Sequence, residues 1–153
     1  MKNGFTVIKA APGDAAETAR LMLLLWPDNS PAGLRDEADD ILAGADGAVF
    51  LLRDAQAPEG IYAGFAHCSL RHEYVEGTVS EPVGYLEGIY VEEGLGRRGA
   101  AGSLLSACEE WARGMGCREF ASDCELGNSA SIAFHLGSGF SEANRLVCFV
   151  KEL

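Results

Sequence analysis

Short stretches of alternating apolar and polar residues recur in the N-terminal half of the chain, and this is the pattern of half-buried strands. They predict strands at Phe5–Ala10, Ala48–Arg53 and Ile61–Arg71, of which the last two are joined as a hairpin. Helical periodicity between the first two strands predicts helices at Ala15–Trp26 and Pro31–Leu42.

Polar residues before the two predicted helices are their expected N-terminal caps. Asp14 has Glu17 three residues after it, which is the spacing of a capping box. Ser30 stands directly before Pro31, and proline is favoured at the first position of a helix.

The C-terminal half is organised around a strand, a glycine-rich turn and a helix. The apolar run Tyr85–Val91 predicts the strand, Gly94–Gly102 the turn and Ala100–Met115 the helix. A helix that begins after such a turn presents unpaired N–H groups and a partial positive charge, so it can bind an anion such as a pyrophosphate. Further along, the pattern predicts a strand at Glu119–Ser122, a helix at Asn128–Leu136 and a last strand at Leu146–Lys151.

Length and composition fit one globular domain that spans residues 1–153. Hydrophobic residues make up 48% of the chain and charged residues 23%, as in ordinary globular proteins. No apolar run approaches the roughly 20 residues needed to span a bilayer, and no secretion signal follows Met1, so we expect a cytoplasmic protein. The five cysteines lack metal-binding spacing, so we expect small core residues and no metal site.

The chain is acidic, with a formal net charge of −11. Proteins that bind nucleic acid need a basic face, so this charge argues against such a partner. An acidic cleft would instead attract a polycationic substrate. Acidity that serves only solubility explains the charge equally well.

The glycine-rich turn contains two candidate phosphate motifs. Residues 94–99 formally match G-x-G-x-x-G, but the strand before them is the fourth rather than the first, so a dinucleotide fold is a weak interpretation. Residues 96–101 resemble the coenzyme-A motif Q/R-x-x-G-x-G/A of the GNAT superfamily of N-acetyltransferases. Gly99 and Ala101 fit that motif, whereas Gly96 stands where the family has Gln or Arg and leaves the basic side chains to Arg97 and Arg98.

The rest of the C-terminal half resembles one branch of that superfamily. YLEGIYV at 85–91, EEWARGMGCREFASD at 109–123, NSASIAFH at 128–135 and the final VCFVKEL look like the aminoglycoside 6′-N-acetyltransferases. The resemblance implies an α/β fold in a single GNAT-like domain, with a mixed central β-sheet flanked by helices. It also implies acetyl-CoA as co-substrate and an aminoglycoside as the acetyl acceptor.

By the same resemblance, the coenzyme lies along the predicted strand and turn. Its pantetheine arm follows Ile89, Tyr90 and Val91, where a backbone N–H polarises the thioester carbonyl. Asn128 matches an asparagine that contacts the coenzyme arm, and it is equally well placed to cap the next helix. The pyrophosphate is expected on the N–H groups of Arg97, Arg98, Gly99, Ala100, Ala101 and Gly102.

Two acidic residues are the candidates for catalysis and for substrate binding. Glu87 interrupts an apolar run, where burial would make it a stronger base, although it could also lie on the solvent face of the strand. Asp123 ends a predicted strand, where ligands bind in open α/β sheets, although aspartate is also common in turns. In the resembled family the first lies at the substrate amine and the second contacts the aminoglycoside.

Four further residues complete the expected surroundings of the site. Trp26 and Tyr74 match aromatic positions that line the family's aminoglycoside site, and Trp26 could equally close the core at a helix end. His135 stands where many members have a tyrosine near the sulfur, but a lone helical histidine is more often structural, so it receives no catalytic role. Asn144 replaces a glutamate found in some members, which leaves the preferred drugs open.

The leading hypothesis is an acetyl-CoA-dependent acetyltransferase that modifies the 6′-amino group of aminoglycosides and confers resistance. The alternatives are an acetyltransferase of the same fold for another polyamine or a protein N-terminus, and a non-catalytic module that binds coenzyme A. Subunits of the resembled family commonly pair through their C-terminal strands, so the apolar segment Leu146–Phe149 predicts a homodimer.

Overall fold

A five-stranded sheet, with its strands in the order of the chain, forms the centre of the fold. The computed structural model describes residues 4–95 and 99–153. Strands β1 to β4 pair antiparallel with their neighbours and β5 pairs parallel with β4, so the sheet is mixed, as predicted. The strands are β1 (Phe5–Lys9), β2 (Gly47–Asp54), β3 (Gly64–Arg71), β4 (Val83–Val91) and β5 (Phe120–Ser122).

The sheet is flanked by helices α1 (Ala15–Leu25), α2 (Pro31–Ala43), α3 (Ala100–Gly114) and α4 (Ser129–Gly137). Helices α1 and α2 cover one face and α3 covers the other. Within the part of the chain that the structure describes, no helix has the length and apolar character that a membrane span requires.

The central strand β2 is buried on both faces of the sheet. Successive side chains of a strand point to opposite faces. Val49 and Leu51 therefore join the core under α1 and α2, whereas Phe50 and Leu52 join the core under α3. This arrangement explains why the sequence of β2 is a nearly continuous apolar run.

One predicted cap is correct, and the other is correct in position but lacks the expected hydrogen bond. The Ser30 hydroxyl accepts a hydrogen bond from a backbone N–H in the first turn of α2, as expected. Asp14 stands at the N-cap position of α1, as predicted, but its carboxylate makes no capping hydrogen bond to α1. It accepts the N–H of Ala11 in a preceding 3₁₀ turn instead. Glu17 accepts the N–H of Tyr62 at 2.7 Å, so it ties α1 to the chain before β3 rather than closing a capping box.

The predicted last strand at Leu146–Lys151 is also wrong. Residues 141–153 form neither helix nor strand, and their side chains are exposed, with Phe149 at 92% and Val150 at 97%. A strand needs a neighbouring edge that accepts its backbone hydrogen bonds. Among the described residues this segment pairs with no such edge.

Strand β4 contains one residue more than the strand beside it. The ladder pairs Leu86 and Gly88 with successive residues of β3, so Glu87 has no partner across the ladder. A bulge of this kind bends the strand and redirects the extra side chain. It also explains why Leu86 and Ile89, three residues apart, pack in the same core.

The residue after the bulge lies directly beneath an aromatic ring. A Cβ at Gly88 would stand only 2.6 Å from Cη2 of Trp26, the residue that follows α1. The Trp26 ring also meets Phe65 of β3 edge-on, with ring centroids 6.1 Å apart. The end of α1 is therefore packed against β4 next to Glu87.

This contact predicts that Gly88→Ala destabilises the protein. The ring of Trp26 must move to admit the methyl group, and overpacking of this kind typically costs about 1–3 kcal/mol. Urea denaturation measures the change in the free energy of unfolding.

The matched control is Gly114→Ala at the end of α3, where an added Cβ meets no described atom within 4 Å. Alanine is the better helix former, so this change should be neutral or should stabilise the protein by up to about 1 kcal/mol. Equal effects of the two substitutions would show that the Trp26 contact does not limit position 88.

Candidate active site

Strands β4 and β5 separate soon after they meet. They pair only between residues 84–86 and 120–122, whereas β4 continues to Val91. Residues 87–91 remain adjacent to β3 on one side and have no described strand beside them on the other. The outer backbone edge of Ile89, Tyr90 and Val91, termed here the gap beside β4, therefore pairs with no described strand. These are the residues expected to follow the pantetheine arm.

The first turn of α3, where the pyrophosphate is expected, follows a glycine in the left-handed conformation. Gly99 precedes the helix with φ of +81°, in the left-handed region that favours glycine. No described atom lies within 4 Å of a Cβ built at Gly102, so this side of the turn is open. Gly96, Arg97 and Arg98 lie outside the described residues. The remaining expected residues of the turn, Ala100 and Ala101, are buried and half-buried.

Glu87 lies in an ion pair rather than in apolar surroundings. Arg71, the last residue of β3, donates from Nη2 to Oε1 and Oε2 at 2.8 Å each and from Nε to Oε2 at 3.0 Å. The hydroxyl of Ser69 donates to Oε2 at 2.6 Å. The environment expected for Glu87 from the apolar run was therefore wrong, because two polar side chains of β3 face it.

Asp123 directly follows β5 and is connected to the same group of side chains. Its carboxylate accepts a hydrogen bond from the hydroxyl of Tyr85 on β4. Burial, together with this hydrogen bond, raises the pKa of Tyr85 above its ordinary value. Arg71 lies over the Tyr85 ring, with its guanidinium carbon 3.9 Å from the ring centroid, in a cation–π contact.

These side chains form one polar cluster, defined here as Ser69, Arg71, Tyr85, Glu87 and Asp123. Only Glu87 and Asp123 of this cluster are expected as site residues from the sequence. The sequence signal for two of the others is the alternation of Ser69 and Arg71 in β3, where polar side chains interrupt one face of an otherwise apolar strand. The β3–β4 register then places Ser69 opposite Tyr85.

His135 has a structural environment between α4 and β5. Its Nδ1 lies 2.7 Å from the carbonyl oxygen of Ser131, and its Nε2 lies 2.8 Å from the hydroxyl of Ser122. Phe140 meets the imidazole ring edge-on, with centroids 5.0 Å apart. Both ring nitrogens therefore have partners within the protein, as is typical of a structural histidine.

Two other expected site residues have clear local positions. Asn128 caps α4, since its side chain accepts the N–H of Ser131 at 3.1 Å, and its contact with a coenzyme stays a prediction. Tyr74 is 74% exposed on the loop of residues 72–82. Trp26 is half-buried over β4, so it contributes to the core and stands beside Glu87 at the same time.

The 72–82 loop is bound to the elements around it. Glu119, just before β5, accepts the N–H groups of Val79 and Ser80 at 2.9 and 2.8 Å. Asn144 donates from its amide to Glu76 at 2.9 Å. The residue that replaces an acid of some family members therefore holds this loop.

Comparison with known proteins identifies close relatives. Residues 18–140 match the family model described as the acetyltransferase (GNAT) family. Aminoglycoside N(6′)-acetyltransferase type 1 of Stenotrophomonas maltophilia is 46% identical over 145 residues, which cover 94% of this chain and 91% of that protein. The enzyme of the same name from Serratia marcescens is 40% identical, over 87% of this chain and 89% of that protein.

Solved structures of such enzymes have the same fold. The aminoglycoside N-acetyltransferase AAC(6′)-Iy in complex with CoA has a TM-score of 0.90 and 32% identity, over 97% of this chain and 95% of that one. AAC(6′)-Iy with the bisubstrate analogue CoA-S-monomethyl-acetylneamine has a TM-score of 0.88 and 32% identity, over 97% and 99% of the two chains. AAC(6′)-Ih from Acinetobacter baumannii has a TM-score of 0.86 and 33% identity, over 98% and 99%.

The raised pKa of Tyr85 predicts a loss of stability in alkali. In the unfolded chain its phenol ionises near pH 10, whereas the folded protein keeps that proton to higher pH. The folded state therefore binds more protons in this range, and the free energy of unfolding should fall as the pH rises above about 10. Denaturation in urea across this pH range measures the slope.

Tyr85→Phe should make this slope shallower, because the variant has no phenol at position 85 to ionise on unfolding. Tyr74→Phe is the control, since the Tyr74 side chain is exposed. If the two variants showed the same slope, the contact between Tyr85 and Asp123 would not hold the proton.

Proposed function

Since the chain belongs to the acetyltransferase (GNAT) family, we propose that it transfers the acetyl group of acetyl-CoA to the 6′-amino group of aminoglycoside antibiotics. The observation that carries this proposal is 46% identity, over nearly the full length of both chains, to an enzyme named for that reaction. The protein works in the cytoplasm as one domain over residues 1–153, and resistance to these drugs is the cellular consequence.

The gap beside β4 supports the binding of acetyl-CoA. Its backbone groups face a space that no described strand fills, so an extended pantetheine arm can bind there as an added strand would. An N–H of Ile89, Tyr90 or Val91 directed at the thioester oxygen stabilises the negative charge that develops there. The pyrophosphate lies at the N-terminus of α3, and Arg97 and Arg98, which precede this helix in the sequence, add positive charge to this part of the chain.

The polar cluster supports the binding of a cationic acceptor. Glu87 and Asp123 bring two carboxylates to the edge of the gap, and such a pair attracts the ammonium groups of an aminoglycoside. Glu87 directly precedes the part of β4 that is assigned to the thioester, so an amine held by its carboxylate lies beside the acetyl carbon. Trp26 and Tyr74 line the rest of the acceptor site.

The reaction removes two protons from the acceptor nitrogen and gives one to the sulfur. Glu87 removes the first proton from the 6′-ammonium group, and the free amine attacks the thioester carbon. The new C–N bond forms, and the attacking nitrogen loses its second proton to solvent. The C–S bond then breaks, coenzyme A leaves as a thiolate that takes a proton from solvent, and Glu87 returns its proton to solvent. The protein mainly positions the two reactants, because acetyl-CoA already carries the activated group.

Thiol release with two drugs tests this proposal. Purified protein with acetyl-CoA should release free thiol with kanamycin, which has a 6′-amine. Paromomycin has a hydroxyl at that position and loses a hydrogen bond worth roughly 1–3 kcal/mol to the carboxylate of Glu87, so its rate should be roughly 5- to 150-fold lower.

The control is acetyl-CoA with protein and no drug. Equal rates with the two drugs would mean that another amine is acetylated. No thiol release with any drug would instead favour a module that binds coenzyme A without catalysis.

The exposed C-terminal segment, residues 141–153 and here termed the arm, supports a homodimer. Leu146, Val147, Phe149 and Val150 are each at least 68% exposed. Contiguous apolar surface of this kind is characteristic of an interaction site. Residues 146–150 are all apolar, so a strand formed by them would have apolar side chains on both faces. Such a strand is stable where both faces are covered.

The outer edge of β5 is the surface of a second copy that could receive the arm. Within residues 4–95 and 99–153, β5 pairs only with β4, and α4 beside it has no buried residue. We propose that the arm of one copy adds to the β5 edge of a second copy and covers its α4. The arm would then supply the last strand that the sequence predicts.

Light scattering tests the dimer. The full chain should have about twice the mass of the 16.2 kDa protomer, and a variant without residues 146–153 should have the protomer mass. Lys151→Gln keeps the apolar side chains and should leave the mass unchanged. A truncated protein that still scattered as a dimer would rule out exchange of the arm.

A further inference from the structure

The ion pair in the polar cluster occupies a carboxylate that the proposed reaction needs. Arg71 and Ser69 together make four contacts with Glu87, three of them to Oε2. A carboxylate oxygen has about two lone-pair sites, so Oε2 is saturated and Oε1 alone can accept another donor. An amine that requires Glu87 therefore meets a site that already holds a cation.

The guanidinium of Arg71 lies where the proposed function places the ammonium group of the substrate. It lies over the ring of Tyr85, and the hydroxyl of that ring is bonded to Asp123. The guanidinium thus stands near both carboxylates that the proposed function assigns to the acceptor. A second positive group at this place would be repelled by it.

The pair is also accessible enough to be exchanged. The side chain of Arg71 is 35% exposed and that of Glu87 is 24% exposed. Arg71 ends β3 and leads into the 72–82 loop, so its side chain can turn outward without breaking the strand. Ser69, two residues earlier in β3, would keep its hydrogen bond to Glu87.

We propose that Arg71 is a specificity-determining residue that neutralises Glu87 in the free enzyme and is displaced from it by the ammonium group of the substrate. This inference rests on the proposed function, because it takes Glu87 as the residue that receives the amine. Only a cationic group can replace the guanidinium without leaving the carboxylate unpaired. A ligand with a hydroxyl at the same position cannot do so, and Arg71 therefore increases the discrimination between amine and hydroxyl.

The direct test follows the Nε–H of Arg71 in wild-type protein labelled with ¹⁵N. The resonance is assigned by its loss in Arg71→Lys. Addition of kanamycin in the presence of CoA should move it to the position of a solvent-exposed arginine, whereas paromomycin should leave it in place. An unmoved resonance with kanamycin bound, as shown by calorimetry, would overturn the proposal.

A second cation separates this proposal from the substrate assignment. If kanamycin does not bind, spermidine is titrated instead. Displacement of Arg71 by spermidine would support the exchange and would count against an aminoglycoside substrate. If neither cation moved the resonance, the exchange itself would be wrong.

Binding to Arg71→Gln provides an independent measurement. With no competing guanidinium, kanamycin should bind roughly tenfold more tightly, about the value of one charged contact regained, and paromomycin should change less than about twofold. Arg113→Gln is the matched control, because Arg113 is an exposed arginine of α3 paired with Glu110 and its loss changes the net charge equally. Weaker or unchanged kanamycin binding in Arg71→Gln would mean that Arg71 is not displaced by the substrate, and the proposal would be wrong.

Discussion

The arrangement of the site depends on one extra residue in β4. Because Glu87 has no partner in the ladder with β3, the strand changes which side chains face each layer at this point. Before the bulge, Leu86 packs under α3, and after it Gly88 lies beneath Trp26. The bulge thus directs Glu87 toward Arg71 and leaves the following backbone free to diverge from β5. In a regular strand without the bulge, Leu86 and Ile89 would face opposite sides of the sheet and could not both pack under α3.

The electrostatics of the site follow from this geometry. Two carboxylates and one guanidinium are brought together around an aromatic ring, and each carboxylate has its own partner within the chain. Such a cluster is organised before any ligand binds, which reduces the reorganisation that catalysis would otherwise require. The net charge of the cluster stays negative, in keeping with the acidic chain as a whole.

Much of the fold could be predicted from the sequence, because hydrophobic periodicity reflects which faces are buried. The helices and the first five strands lie close to their predicted bounds, and β3 alone begins three residues late. The bulge, the contact of Arg71 with Glu87 and the contact of Glu17 with Tyr62 could not be predicted, since each depends on residues far apart in the chain. The strand expected at Leu146–Lys151 failed for a related reason. The local sequence pattern shows only that a segment can form a strand. Whether it does depends on an available strand edge, which another part of the structure must supply.

The attachment of the 72–82 loop has a consequence for how such a protein can evolve. The loop is fastened by Glu119 and Asn144, and its tip at Tyr74 remains in contact with solvent. In the proposed function the acetyl donor binds at the backbone of β4 and the first turn of α3, which lie on other elements than that tip. Under that proposal, changes at the tip can accumulate and alter the range of acceptors while the donor half stays intact. Under changing antibiotic selection, such a division lets one half of the site vary without loss of the chemistry in the other.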